Sequence, residues 1–111
     1  MVIKRIYDEP STKDGYRVLV DRLWPRGVSK ERAQVDTWLK EVAPSPELRT
    51  WFAHDPERFK EFSIRYEKEL RTNPAVKQLR DSLKEHTNVT LLYGARDPKV
   101  NHATVLMKYL S

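Results

Sequence analysis

The sequence predicts a small α/β domain with a mostly parallel sheet of three to four strands flanked by helices. Three observations point there. Apolar, β-branched runs at Val2–Tyr7, Tyr16–Asp21 and Val89–Tyr93 have the length and content of strands. Four capping residues, each followed by proline, mark helix starts at Ser45-Pro46, Asp55-Pro56, Asn73-Pro74 and Asp97-Pro98. Strands and helices mix along the chain, beginning with a strand, which favours parallel pairing with helices packed on the sheet. At 111 residues the chain fits a single domain spanning 1–111, because domains commonly run to about 100–200 residues.

The elements follow in order. Val2–Tyr7 carries Lys4 and Arg5, so an edge position with both bases reaching water is expected. Asp8 to Gly15 is a loop punctuated by Pro10 and Gly15. The second strand, Tyr16–Asp21, runs into a loop that closes at Gly27, after which Ser29 caps a short helix from Lys30. Val35 to Val42 reads as a short extended segment, since Val35, Thr37 and Leu39 alternate. Ser45 starts a helix bearing Leu48, Trp51 and Phe52. The helix opened by Asp55-Pro56 extends to about Arg71, with Phe59, Phe62, Tyr66 and Leu70 forming one apolar stripe. Asn73-Pro74 begins another, buried through Val76, Leu79 and Leu83. After the Val89–Tyr93 strand, Asp97-Pro98 is expected to cap a last helix through Leu110.

Composition narrows the function classes. There is no cysteine, so thiolate metal sites, disulfides and redox thiols are excluded. The three histidines are far apart and belong to no metal motif; no metal and no cofactor is expected, because nucleotide-loop and nucleophile-elbow signatures are also absent. No apolar run approaches the ~18 residues of a membrane span, and the N-terminus lacks a signal-peptide core, so a cytoplasmic protein without a membrane partner is expected. The net charge of +5 admits a polyanion as partner. Acids and bases are interleaved, however, so nucleic acid is the weaker reading.

Two stretches carry chemistry. In Asp21-Arg22-Leu23-Trp24-Pro25-Arg26-Gly27, just past a buried strand, Arg22 and Arg26 can clamp a phosphate or carboxylate in fork geometry. The bland alternative is an Asp21–arginine ion pair, with Trp24 packed in the core. In Tyr93-Gly-Ala-Arg-Asp-Pro-Lys-Val-Asn-His102, a strand, a glycine turn, a base and a helix start suggest an anion pocket, although Asp97 as N-cap would compete with an external anion. Tyr93, Arg96 and Asn101 are candidate ligand-binding residues, while His102 or Asp21 could move a proton. His102 also suits a buried structural role beside Leu106 and Tyr109, and His54 reads as structural in a helix–helix turn.

Gly15-Tyr-Arg-Val-Leu-Val-Asp-Arg-Leu-Trp-Pro-Arg-Gly27, Trp38, Ala43-Pro-Ser45, Glu47-Leu-Arg49, Leu91-Leu-Tyr93 and Asn101-His-Ala103 together resemble the YeaO-like family, small prokaryotic proteins classed as domain of unknown function 488. The resemblance spans nearly the whole chain. It implies a cytoplasmic single-domain α/β protein and supplies no reaction. The expected function is therefore a binding site for an anionic small ligand (phosphate, nucleotide or carboxylate) at the strand-end loops, with enzymatic activity open. The alternative is a nucleic-acid-binding or regulatory interaction module, and a homo-oligomer is compatible with either.

Overall fold

A computed structural model describes residues 1–111. Four strands form one sheet: β1 (Val2–Arg5), β2 (Tyr16–Leu19), β3 (Thr37–Trp38) and β4 (Val89–Tyr93). Their order is β1-β4-β2-β3 and every pairing is parallel. The chain's last strand therefore sits in the middle, between β1 and β2. That explains its composition: all five residues of Val89-Thr-Leu-Leu-Tyr93 are buried, as a strand covered on both faces requires. β1 takes the expected edge position.

The helices are α1 (Lys30–Ala33), α2 (Pro46–Phe52), α3 (Phe59–Arg71), α4 (Ala75–Glu85) and α5 (His102–Leu110). Strand alternation sorts the core into two layers. Val18, Val20, Val89, Leu91 and Tyr93 face the larger cluster, where they meet residues of α2, α3, α4 and α5, including the Phe62–Tyr66–Leu70 stripe. Leu19 and Leu92 face the other way, onto Ile6, Ala33 of α1 and the half-buried Trp24. Trp24, expected as core, thus belongs to the thin layer, and its Nε1 donates to the Val28 carbonyl at 2.7 Å.

Several boundaries differ from the sequence reading. β1 stops at Arg5 because the chain turns there, with the Asp8 amide donating to the Arg5 carbonyl. Its two bases do not simply reach water: Lys4 binds Asp14, and Arg5 Nε donates to the Ala95 carbonyl at 2.9 Å. β2 ends at Leu19, which leaves Asp21 in the following loop. The Val35–Val42 segment is extended only at Thr37–Trp38, then winds into a 3-10 turn at Lys40–Val42. Pro56–Arg58 is a 3-10 turn leading into α3. The main correction concerns α5, which begins at His102 and not at Asp97-Pro98. Asp97 Oδ1 instead accepts the Lys99 and Val100 amides of a local turn. Asn101 is the N-cap, extended in backbone and accepting the Thr104 amide at 2.9 Å.

A buried polar hub anchors the start of β2. Asp14 is 8% exposed and Arg17 3%. The Asp14 carboxylate accepts from Arg17 Nη1, Lys4 Nζ and the Ser11 amide. Its carbonyl accepts from Thr90 Oγ1 at 2.7 Å, tying the hub to the central strand. Arg17 also donates through Nε and Nη2 to the Ala33 carbonyl, which holds α1 against the sheet. Gly15 beside this hub has φ +66°, and a Cβ there would collide with the Asn88 backbone, so glycine is required.

Burial alone would raise the Asp14 carboxyl, but the Ser11 amide, Lys4 and Arg17 outweigh it and hold the group below the ordinary 3.8. Its stabilisation is therefore complete above that value and disappears as pH falls through the lower folded-state value. Asp14→Ala is expected to destabilise by about 3–5 kcal/mol at neutral pH by leaving Arg17 uncompensated. Urea unfolding of both proteins from pH 7 to pH 2 checks this, and the gap should narrow only towards the acid end.

Candidate functional site

Because all four strands run the same way, their carboxyl ends share one edge of the sheet. The chain leaves β2 towards α1 on the thin layer and leaves β4 towards α5 on the thick one. Neighbouring loops that part to opposite faces open a crevice at the strand ends, where open α/β sheets place ligands. A cleft of about 500 Å³ lies there.

One carboxylate joins its two sides. Asp21 Oδ2 accepts the Gly94 amide at 2.8 Å, and Oδ1 lies 3.1 Å from His102 Nε2. The same Nε2 is 3.1 Å from the Val20 carbonyl. Both neighbours are acceptors, so Nε2 carries the proton. Its N–H is directed at the carbonyl, and Asp21 Oδ1 stays buried without a directed donor. The carbonyl of Asp21 accepts from Trp38 Nε1 at 2.7 Å. Gly94 makes the approach possible: a Cβ there would stand 2.9 Å from Asp21 Oδ2. No Asp21–arginine ion pair forms.

The structure brings five of the seven candidate residues to this cleft: Asp21, Arg22, Arg26, Asn101 and His102. Arg22 is half-buried, and its Nε and Nη2 donate to the carbonyls of Pro44 and Ala43 at 3.2 and 3.1 Å. Arg26 is exposed, and its carbonyl accepts from Tyr7 Oη at 3.0 Å. Asn101 is 1% exposed and committed to capping, with Nδ2 donating to the Asp97 carbonyl at 2.8 Å. Tyr93 and Arg96 are not in the lining. Tyr93 follows the alternation of Val89 and Leu91 into the large core cluster. Burial pushes its phenol above the ordinary value; Arg5 opposes this, and Asp8 and Asp97 add to it. Arg96 is exposed on the loop.

Sequence reasoning did not select Arg49, His54, Phe52 or Tyr7 for the site, yet all four line the cleft. Arg49 and Phe52 arrive on α2, whose N-cap Ser45 is fixed in turn by Glu69 of α3, at 2.9 Å from the amide and 2.6 Å from Oγ. His54, expected to be structural, is exposed on the rim. It follows Ala53 in left-handed backbone, with φ 56° and 47° respectively. Such conformations cost on the order of 1 kcal/mol or more for residues other than glycine. The signal available in sequence was the short, glycine-free Ala53-His54 junction between two capped helices.

Fold and cleft define a four-stranded, all-parallel α/β domain with a basic, partly apolar crevice at the carboxyl edge of its sheet. Comparison with known proteins gives this class a family. The chain belongs to the family described as the inactive DUF488-N3 subclade, whose model matches residues 1–111. It is 44% identical over 109 residues to an uncharacterised protein of Mycobacterium tuberculosis strain H37Rv, covering 98% of this chain and 92% of that one. It is also 44% identical over 108 residues to the uncharacterised protein YeaO of Escherichia coli strain K12, covering 96% of this chain and 93% of YeaO. The resemblance to YeaO-like proteins read from the motifs is thus borne out. No solved structure matches the chain. No helix is long and apolar enough to cross a membrane.

The Asp21–Gly94 contact yields a direct test. Gly94→Ala should destabilise by about 1–3 kcal/mol through overpacking, and Asp21→Ala by about 1–3 kcal/mol through the stranded Gly94 amide. Because the clash needs the carboxylate, the double variant should fall short of the sum by about 1 kcal/mol or more. A urea-unfolding double-mutant cycle measures the difference.

Proposed function

We propose that the cleft binds a small anionic ligand and serves recognition without turnover. The observation that carries this reading is an imbalance of charge. Arg22, Arg26 and Arg49 line the cleft against the single carboxylate of Asp21. None of the three arginines takes part in an ion pair, although six pairs form elsewhere in the molecule. An anion about 4 Å from one guanidinium gains about 4 kcal/mol at an effective dielectric near 20, before desolvation. Arginine forks also match phosphate and carboxylate oxygens in geometry.

Recognition is favoured over catalysis on two grounds. The Nε2 proton of His102 goes to the Val20 carbonyl and Oδ2 of Asp21 holds the Gly94 amide, contacts that brace the two loops. The family itself carries the description "inactive". Nucleic acid has less support, because on α3 and α4 bases lie beside acids, as in Arg65–Glu61 and Lys77–Asp81.

Thermal-shift titrations with phosphate, sulfate, dicarboxylates and nucleotides provide the test. At least one anion class should raise the Tm of the parent. Arg26→Ala and Arg49→Ala should each weaken that binding by about tenfold, the loss expected for one charge-assisted hydrogen bond. Arg22→Ala is less informative, since Arg22 also holds Ala43 and Pro44. The reading fails if no anion shifts the parent, or if both variants respond as the parent does. Steeply salt-dependent binding of generic duplex DNA or RNA, with no small anion bound, would replace it with the nucleic-acid alternative.

A further inference from the structure

Charge says that the ligand is an anion; the shape and walls of the cleft say more. A volume of about 500 Å³ falls among sites that enclose whole organic molecules, and an inorganic oxyanion would fill little of it. Part of the lining is aromatic. Phe52 reaches the lining from the core, 5% exposed, and is backed by Phe62, stacked on it at 4.1 Å between ring centroids. The His54 ring stands 6.0 Å from Phe52 at an interplanar angle of 49°, so the exposed imidazole supplies the open face of this aromatic corner. Across the strand ends, Tyr7 is 42% exposed and hydrogen-bonded to the backbone of the Arg26 loop.

The second observation is conformational and independent of volume. Ala53 and His54 both adopt left-handed backbone, and this reversal leaves the imidazole exposed on the cleft rim. Stability alone would favour glycine or asparagine at such positions. Strained, exposed side chains on a cleft rim are a known mark of ligand contact. A charged residue at 54 would serve a bare anion as well, whereas an aromatic ring beside Phe52 suits a planar group.

We infer that the occupant is an aromatic organophosphate of mononucleotide size, with its planar ring against the Phe52–His54 corner and its phosphate on the cleft arginines. This rests on the anion-binding reading and adds the ring. Stacking of a base on an aromatic side chain is expected to strengthen binding by roughly tenfold.

Calorimetric titration of the full chain with four probes decides the matter: adenosine 5′-monophosphate, ribose 5-phosphate, inorganic phosphate and adenosine. The parent should bind the nucleotide at least about tenfold more tightly than ribose 5-phosphate. In His54→Asn, which tolerates left-handed backbone but lacks a ring, that preference should vanish. Ribose 5-phosphate affinity should be unchanged in the variant, and Tm should not fall. Equal affinity of the parent for nucleotide and ribose 5-phosphate would overturn the ring seat while leaving anion binding intact. Retention of the preference in His54→Asn would overturn the assigned corner. Adenosine binding as tightly as the nucleotide, or no phosphate compound binding at all, would overturn the anion reading and this inference with it.

Discussion

The contact on which the site depends is the Asp21 carboxylate held between Gly94 and His102. A carboxylate with 18% side-chain exposure needs partners to offset its desolvation, and here they come from the distant segment that joins β4 to α5. The Gly94 amide is fixed at the end of the central strand, and His102 opens α5. By meeting both, Asp21 turns two diverging loops into the walls of one cleft. The arrangement requires that β2 and β4 be parallel neighbours and that position 94 have no side chain. It also leaves the cleft with its one acid occupied and its arginines unpaired.

A second aspartate mirrors the first. Asp14 lies just before β2 as Asp21 lies just after it, and each gathers donors from several elements. Asp14 collects Ser11, Lys4 and Arg17 and reaches α1 through Arg17. The strand between them is apolar on both faces apart from Arg17, with Val18 and Leu19 feeding opposite layers. One end of β2 thus holds the architecture and the other builds the site. This division explains how the strap from Asp21 to Gly27 can be polar and irregular without unsettling the sheet. Deeper in, Tyr66 donates to the Val42 carbonyl at 2.7 Å, and burial, then Glu69 and Asp21, push its phenol far above the ordinary range. It therefore stays a neutral structural donor beneath the cleft.

Much of the fold was legible because it follows local rules. The continuous apolar run of Val89–Tyr93 announced a buried strand, and it proved to be the central one. Ser45 capped its helix as its type and the following proline suggested. The start of α5 was misread for a specific reason. Asp97-Pro98 and Asn101 are both adequate caps, and only tertiary placement decides which carboxamide or carboxylate meets helical amides. The partnership of the Asp21 and Asn101–His102 loops was anticipated from the rule that ligands gather at strand ends. Tyr93 was misplaced because the period-two pattern that buries Leu91 also buries Tyr93. Arg49 and His54 were missed as site residues: α2 and the turn after it bring them from the β3–β4 crossover, and no spacing in the sequence reports that approach.

The claim that Asp21 physically joins the two walls is tested most directly by hydrogen exchange at a single amide. In the parent, the Gly94 N–H should be protected although it lies beyond the end of β4. In Asp21→Ala its exchange should quicken by about tenfold or more. The Ile6 amide, which donates to the Tyr93 carbonyl one position away, should keep its protection. A Gly94 amide that exchanges freely in the parent, or equally slowly in the variant, would contradict the account.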